Sequence, residues 1–381
     1  MIFVVAPDSF KGSLTSKNFC DTAEDALLER FPGLTVYKVP MADGGEGTVE
    51  ALILATGGKK QSCWVTSPLF DKTMAAYGIM GDGKTAVIEM SSAAGLPLIP
   101  SWKRDPFTST TYGVGELIED ALEKGCTEFI MGIGGSATND GGCGCAAALG
   151  VRFLDGTGAE YIPVGGTLDR LCRIDMSHRS PLLDGVEIVT MCDVDTPLCG
   201  PNGASAVFGP QKGADPDMVT RLDRNLRHLS EVIRQDLGRE IADLPGAGAA
   251  GGMGAGVMAF LGSRLQMGIE TVLDTVGFDA LLPGATAVLT GEGRIDGQSA
   301  RGKVVAGVAA RARAKGVPVV VIAGDIGEGA EQLLGQGVCA MFSINRVAQP
   351  FSVLRRRAPQ DLRATAANLF RYARLAETLP R

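Results

Sequence analysis

The chain has 381 residues, 45% hydrophobic and 21% charged. That suffices for large buried cores and, at about 100 to 200 residues per domain, for two domains. Thirty-six basic against 43 acidic residues give a net charge of -7 without any Lys/Arg-rich run, which argues against a nucleic-acid surface; no apolar run approaches the roughly 18 to 20 residues that span a bilayer.

The opening MIFVVAPDSF has no basic n-region, and Pro7 and Asp8 break its apolar run. It reads as a first strand, Ile2 to Val5, rather than a signal peptide or anchor. A helix from about Ser16 to Phe31 follows, with Phe19, Ala23, Ala26 and Leu27 on one face, then a strand at Thr35 to Val39 and a helix near Thr48 to Ala55. From Gln61 to Glu89 the pattern becomes extended and hairpin-like, with turn signals at Ser67-Pro68 and Gly81-Asp82-Gly83. Thr127 to Met131 and Glu187 to Cys192 read as strands, and Asp217 to Leu237 as a helix with Met218, Leu222, Leu226, Leu229 and Ile233 on one face. The opening rhythm then returns: strands at Ala287 to Thr290, Val317 to Ala323 and Cys339 to Ile344, helices near Val304 to Ala314 and Gly329 to Leu334, and a closing helix from Gln360 to Thr378. Early and late strands together make one doubly wound parallel sheet. The domains expected are therefore a discontinuous one, residues 1–60 and 278–381, and an inserted α/β domain, 61–277.

Nine scattered cysteines fit a reducing cytoplasm better than a disulfide framework. Cys143 and Cys145, the only close pair, lack the second Cys/His pair that zinc needs and read as small buried side chains. With only His178 and His228 present, Ser-His-Asp hydrolysis and multi-histidine metal sites are poorly supported. The chemistry falls to acids and lysines. Phosphoryl transfer suits that inventory, because it needs a phosphate-cradling backbone, Mg²⁺ on carboxylates, a cation to neutralise developing charge and a carboxylate near the attacking hydroxyl.

Six loops combine glycine with an acid, a hydroxyl or a base, mostly just after a predicted strand, where open α/β sheets bind ligands. They are APDSFKGSLT (6–15), ADGGEGT (42–48), GIGGSATNDGG (132–142), CDVDTPLCGPNGASAVFGPQKGA (192–214), PGAGAAGGMGAG (245–256) and TGEGRIDGQS (290–299). Within GIGGSATNDGG, glycines and hydroxyls are composed to hold an anion, and Asp140 beside a phosphate calls for a cation or a proton in transfer. Two patterns compete. Gly132 to Ala137 matches the G-x-G-x-x-A dinucleotide fingerprint, with Asp155 about twenty residues on, and would make the protein an NAD-dependent dehydrogenase of a small hydroxy acid. Asn139 to Gly142, however, interrupt where that fingerprint's helix should run. Gly297 to Lys303 nearly spells a P-loop, but Val304 stands where Ser or Thr must ligate magnesium; Lys303 can still meet a phosphate. A non-catalytic sugar-acid or nucleotide-binding regulator is the third reading.

Together with VIEMSSAAGL (87–96) and TSTTYGVGEL (108–117), these loops resemble the motifs of the type-1 glycerate kinase family, from Ile2 to about Ile344; Arg346 to Arg381 carry no motif. The resemblance implies ATP-dependent, Mg²⁺-requiring phosphorylation of D-glycerate, typically at the 2-hydroxyl to give 2-phosphoglycerate, in glyoxylate, glucarate or galactarate breakdown. It implies a flavodoxin-like domain carrying an insert likened to the restriction-endonuclease fold. The partner expected is a small molecule, not nucleic acid or membrane, and a homodimer is left open.

Site roles are inferred by position. Asp193 and Asp195, spaced i and i+2 after a strand, are candidates for general base and metal ligand, with an Asx-turn before Pro197 as the structural alternative. Asp296 joins them as a catalytic candidate. Glu292, Asp195 and Asp140 are candidate Mg²⁺ ligands and Arg294 a carboxylate binder. Lys11 is placed to neutralise the transferring phosphate, while Asp8, Ser9, Asp43, Glu46 and Lys212 are expected near the substrate; the alternative is that Ser9 and Ser13 only cap a helix. Gly134, Gly135, Ser136, Thr138, Asn139, Gly248, Gly251 and Gly252 are assigned to phosphate or nucleotide, although packing through small residues serves the 245–256 stretch nearly as well.

Overall fold

The computed structural model describes residues 1–42, 44–45, 47–300 and 302–376, with the side chains of 373–376 excepted. It divides into two compact units, Met1–Asp43 with Ile269–Arg381, and Gly44–Gly268. The strand and helix pattern predicts the breaks at 60/61 and 277/278 instead. The difference at the first break comes from the helix Thr48–Thr56, which packs on the strands Lys72–Ile79 and Thr85–Glu89 of the second unit. Glu89 accepts hydrogen bonds from the N–H groups of Gly47 (3.1 Å) and Val49 (2.8 Å), satisfying donors that a helix start leaves open. At the second break, Arg311 reaches Asp274 (2.7 Å) and Asp279 (3.0 Å), holding the helical turns after Ile269 to the first unit.

The first unit's sheet is parallel throughout, in the order Val338–Ser343, Val319–Ala323, Ala287–Thr290, Ile2–Val5, Thr35–Lys38. These are the five strands expected from sequence. Numbered within the unit, the order is 2-1-3-4-5, the flavodoxin-like winding, whose order reverses between Ile2–Val5 and Ala287–Thr290. Val4, Val5, Val288, Leu289, Val319 and Val321 are fully buried, as expected of strands covered on both faces. The helix Ser16–Arg30 buries Phe19, Cys20, Ala23, Ala26 and Leu27, and Thr15 caps it by accepting from Asn18 N–H at 3.1 Å. The closing helix is longer than expected, Phe351–Ala376, with Pro359 inside it. Ala358, Leu362, Ala366 and Phe370 recur every four residues and are buried against Ser16–Arg30 and its neighbours, so packing offsets the roughly 3 kcal/mol a mid-helix proline costs. Ala330–Gln336 is 3₁₀ rather than α.

The second unit's sheet is mixed, in the order Arg264–Gln266, Glu187–Met191, Glu128–Gly132, Thr85–Glu89, Lys72–Ile79, Lys59–Thr66. Its first four strands are parallel; the last two close an antiparallel hairpin where the extended pattern predicts one. The helix Pro216–Leu237 buries Leu222, Leu226, Leu229 and Ile233, while Met218 is half-buried; Asp215 caps its start and Gly238, at φ 67°, ends it. Cys143 and Cys145 lie buried in the helix Cys143–Ala148 as free thiols. Among the described residues, no helix is long and apolar enough to cross a membrane.

Candidate functional site

In the first unit, a cavity of about 430 Å³ opens over the carboxyl ends of Ile2–Val5 and Ala287–Thr290, the point at which the strand order reverses. Among the described residues, five of those expected at the site line it: Asp8, Ser9, Lys11, Glu292 and Arg294. Local structure explains how they get there. The chain leaves the first strand still paired, with Ala6 N–H donating to Leu289 O and Asp8 N–H to Gly291 O, both at 2.8 Å. It then turns tightly from Phe10 to Ser13 through Gly12, whose φ of 79° suits glycine, and the turn presents Lys11 at its tip. Ser9 and Ser13 do not cap the following helix; Thr15 does. Asp8 (7% exposed) and Glu292 (6%) are nearly buried.

The remainder of the lining includes groups that sequence reasoning left unassigned. Asp325 follows Val319–Ala323 with the same glycine-plus-acid signal as the other strand ends, Gly324-Asp325, and was open to discovery. Lys303, the last residue of the imperfect P-loop pattern, begins the helix Val304–Ala314 and lines the cavity. Arg355, Phe351 and Leu354 come from the closing helix, in the segment that carries no motif, so nothing in the sequence pointed to them. The cavity is therefore lined, among the described residues, by four cations, Lys11, Arg294, Lys303 and Arg355. Among the described residues, no carboxylate pairs with Lys11, Lys303 or Arg355, so their charge is available to an anion. Arg294 Nε lies 3.5 Å from Asp296 Oδ2. Asp296 lies outside the lining, where its Oδ1 accepts from Gln298 N–H at 2.9 Å and its C=O from Ser299 N–H, which makes it a turn former that braces Arg294.

The glycine-rich loop 132–142 lies in the second unit and differs from its expected role. Only Gly134 and Gly135, just past Glu128–Gly132, are exposed; Ser136 through Gly142 are buried. Asp140 is 1% exposed and accepts four hydrogen bonds, from Thr111 N–H (2.8 Å), Thr111 Oγ1 (2.7 Å), Gly142 N–H (3.1 Å) and Gly144 N–H (3.2 Å). Burial pushes its carboxyl above the usual range, opposed by those donors, Thr111 foremost. An oxygen pair so occupied and enclosed is an internal anchor, which removes Asp140 from the Mg²⁺ ligands. Thr138 and Asn139 are likewise fully buried, with Asn139 Nδ2 donating to Ser205 Oγ at 3.1 Å.

Gly248, Gly251 and Gly252 are corrected in the same way. Gly141 N–H donates to Gly251 O at 3.1 Å, and a Cβ on Gly251 would lie 2.0 Å from Thr138 O. A Cβ on Gly248 would meet Pro197 O at 2.0 Å, and one on Gly252 the Cα of Gly141 at 3.0 Å. The two glycine-rich stretches pack backbone to backbone against each other, with no space for nucleotide at those three positions. Lys212, expected at the substrate, is 1% exposed, and its Nζ donates to Ser136 Oγ (2.8 Å) and Thr138 O (2.6 Å). Burial draws its ammonium down to about 7 against the pull of Asp140.

Asp193 and Asp195 are exposed in the loop after Glu187–Met191, a strand one residue shorter than expected. Asp193 Oδ1 accepts from Gly268 N–H at 2.7 Å, which fixes its orientation. Asp43 and Glu46 lie outside the described residues. Among the described residues no group of three or more His, Cys, Asp or Glu is gathered as a metal site. The dinucleotide alternative fails on geometry: the helix after Gly132 begins only at Cys143, and Asp155 ends a strand of a separate antiparallel pair, Arg152–Asp155 with Leu171–Asp175. There it accepts from Thr157 and Arg170, away from the parallel neighbour a ribose-binding acid requires.

Comparison with known proteins gives a consistent result. A family model described as "Glycerate kinase family" matches residues 3–374. The chain is 50% identical over 344 residues to "Glycerate 2-kinase" of Escherichia coli (strain K12), covering 90% of each chain. It is 45% identical over 379 residues to "Glycerate kinase" of Bacillus subtilis (strain 168), covering 100% of this chain and 99% of the relative. Among solved structures, that titled as a putative glycerate kinase 2 from Salmonella typhimurium LT2 matches with a TM-score of 0.90 and 43% identity over 100% of both chains.

Proposed function

The chain belongs to the glycerate kinase family, and from that premise we propose that it transfers the γ-phosphoryl group of ATP to the 2-hydroxyl of D-glycerate, giving 2-phosphoglycerate and ADP. The observation that carries the reading on the structural side is the first-unit cavity, where four cations and the carboxylates Asp8, Glu292 and Asp325 meet at the ends of parallel strands. That is the equipment phosphoryl transfer needs: charge to hold and neutralise phosphate oxygens, and carboxylates to organise a metal. The 2-position is supported by the printed name of the Escherichia coli relative.

In the proposed reaction the hydroxyl oxygen of glycerate bonds to the γ-phosphorus, the bond from that phosphorus to the β-bridging oxygen breaks, and ADP leaves. The hydroxyl proton passes to a carboxylate, assigned to Asp193, whose orientation the Gly268 N–H fixes; Asp195, two residues on, is the alternative acceptor. Lys11 and Lys303 neutralise charge building on the phosphoryl oxygens, and Arg294, braced by Asp296, orients an anionic group. Asp8 and Glu292, hard oxygen donors lining a cationic cavity, fit Mg²⁺ and would hold it; this ion characteristically takes one or two carboxylates and completes its shell with phosphate oxygens and water. When bound, the ion supplies charge stabilisation on the transferring group. On the same footing, we assign the enzyme to the cytoplasm and to glyoxylate, glucarate or galactarate breakdown, which the family resemblance suggests.

A coupled assay with D-glycerate and Mg-ATP tests the reading. ADP formation supports it. Reduction of NAD without ADP formation, or ligand binding with neither reaction, would refute it.

A further inference from the structure

We propose that the first-unit cavity is the nucleotide site, with the base of a purine nucleoside triphosphate against Phe351 and Leu354 and its phosphates against Lys303, Lys11 and Arg294; this rests on the phosphotransferase reading above.

The two walls of the cavity differ in chemistry. One is apolar, formed by Ile344 at the end of Val338–Ser343 and by Phe351, Leu354 and Ala358 on the first turns of the closing helix. The other, formed by the strand-end loops and the start of Val304–Ala314, carries Lys11, Arg294 and Lys303, while Arg355 stands on the closing helix beside Leu354. D-Glycerate has three carbons, one carboxylate and two hydroxyls, so it has no apolar surface to place on the first wall and too little charge to engage the second. A nucleoside triphosphate has both, a flat base at one end and a polyanion at the other. The cavity, at about 430 Å³, lies in the usual range for a ligand of that size.

Phe351 is the informative side chain, because it lines the cavity and is 60% exposed. A Cβ on Gly12 would sit 3.7 Å from its ring, so the ring lies over the Phe10–Ser13 turn that presents Lys11. An exposed aromatic face over that turn offers a stacking platform for a base. Lys303 is the residue from which Val304–Ala314 starts, and among the described residues no side chain caps that start. Lys303 lines the cavity, so phosphate oxygens there would meet both its ammonium and the open end of the helix.

Calorimetric binding of the magnesium complex of AMP-PNP to the full chain, in the absence of glycerate, tests this. Phe351→Ala should weaken binding about tenfold, the loss of one stacked base, while Phe351→Trp retains it. Lys303→Met should weaken AMP-PNP binding by at least as much. In turnover, F351A should raise KM for ATP and leave KM for D-glycerate unchanged. Because Phe351 is mostly exposed, its truncation leaves folding intact, and an unchanged melting temperature verifies that. Wild-type affinity in F351A, a shift in KM for D-glycerate in place of ATP, or a wild type that binds no AMP-PNP would each overturn the assignment. If wild type binds AMP-PNP but phosphorylates no glycerate, the phosphotransferase reading fails and the F351A titration still decides the location of the nucleotide.

Discussion

Replacing Lys212 with Met should abolish a specific pH dependence of stability. The ammonium is 1% exposed, and burial lowers it from 10.5 to about 7. By linkage, that fall corresponds to a cost on the order of 5 kcal/mol when the buried group is charged. The sign follows from proton counts. Below about pH 7 folded and unfolded chains both hold the proton and the cost is constant; between about 7 and 10.5 only the unfolded chain holds it, so wild-type stability rises with pH across that window. Met carries no proton and has no such slope. It also strands Ser136 Oγ and Thr138 O, at about 1 to 3 kcal/mol each. The variant should thus be near parity with wild type at pH 7 and fall behind by about 2 to 3 kcal/mol between pH 7.5 and 9.5. Urea unfolding of both proteins at pH 7, 8.5 and 9.5 measures this. Stability curves that stay parallel across the window would show that the lysine titrates as an exposed one does, and would refute the buried-anchor description.

Asp193→Asn should lower kcat by about 10² to 10⁴ with an unchanged circular dichroism spectrum, whereas near-wild-type turnover would move the base to Asp195. Lys11→Met should lower kcat by about 10² or more with the fold intact, read by steady-state kinetics; an effect on melting temperature alone would make Lys11 structural. Gly251→Ala places a Cβ 2.0 Å from Thr138 O at a φ of 72° and should cost about 3 kcal/mol or more in thermal unfolding; tolerance of alanine there would mean the two glycine stretches are not packed as described. Chelation of divalent ions should abolish turnover and Mg²⁺ should restore it, with persistence of activity in excess EDTA as the contrary result.

The first unit was legible because its three central strands, Ile2–Val5, Ala287–Thr290 and Val319–Ala323, are short, mostly buried runs rich in β-branched residues, each followed by a loop with a glycine and an acid, and they pair as the winding rule requires. Asp8, Lys11, Glu292 and Arg294 followed from the same rule, since side chains just past parallel strand ends face one crevice. Arg355 and Phe351 were not legible. They reach the cavity only because Ala358, Leu362 and Ala366 dock the closing helix despite Pro359, a tertiary effect that outweighs the local signal at the proline. The glycine-rich loops misled for a different reason. Lack of a Cβ permits close approach to a phosphate and to another backbone equally well, and here Gly141 and Gly251 approach each other. Asp140 and Lys212 carry the same ambiguity: a charged residue in such a loop is a ligand if it faces solvent and an anchor if buried, and burial is set by Thr111 and Ser136, far away in sequence.

Phosphorus-31 NMR of the product formed from D-glycerate and Mg-ATP tests the central claim most directly. A phosphate ester coupled to the single proton on C2, growing in step with ADP, is the result expected of a glycerate 2-kinase. Coupling to the two protons on C3 would place the transfer on the other hydroxyl, and ATP signals that stay unchanged would contradict the assignment of phosphotransferase activity itself.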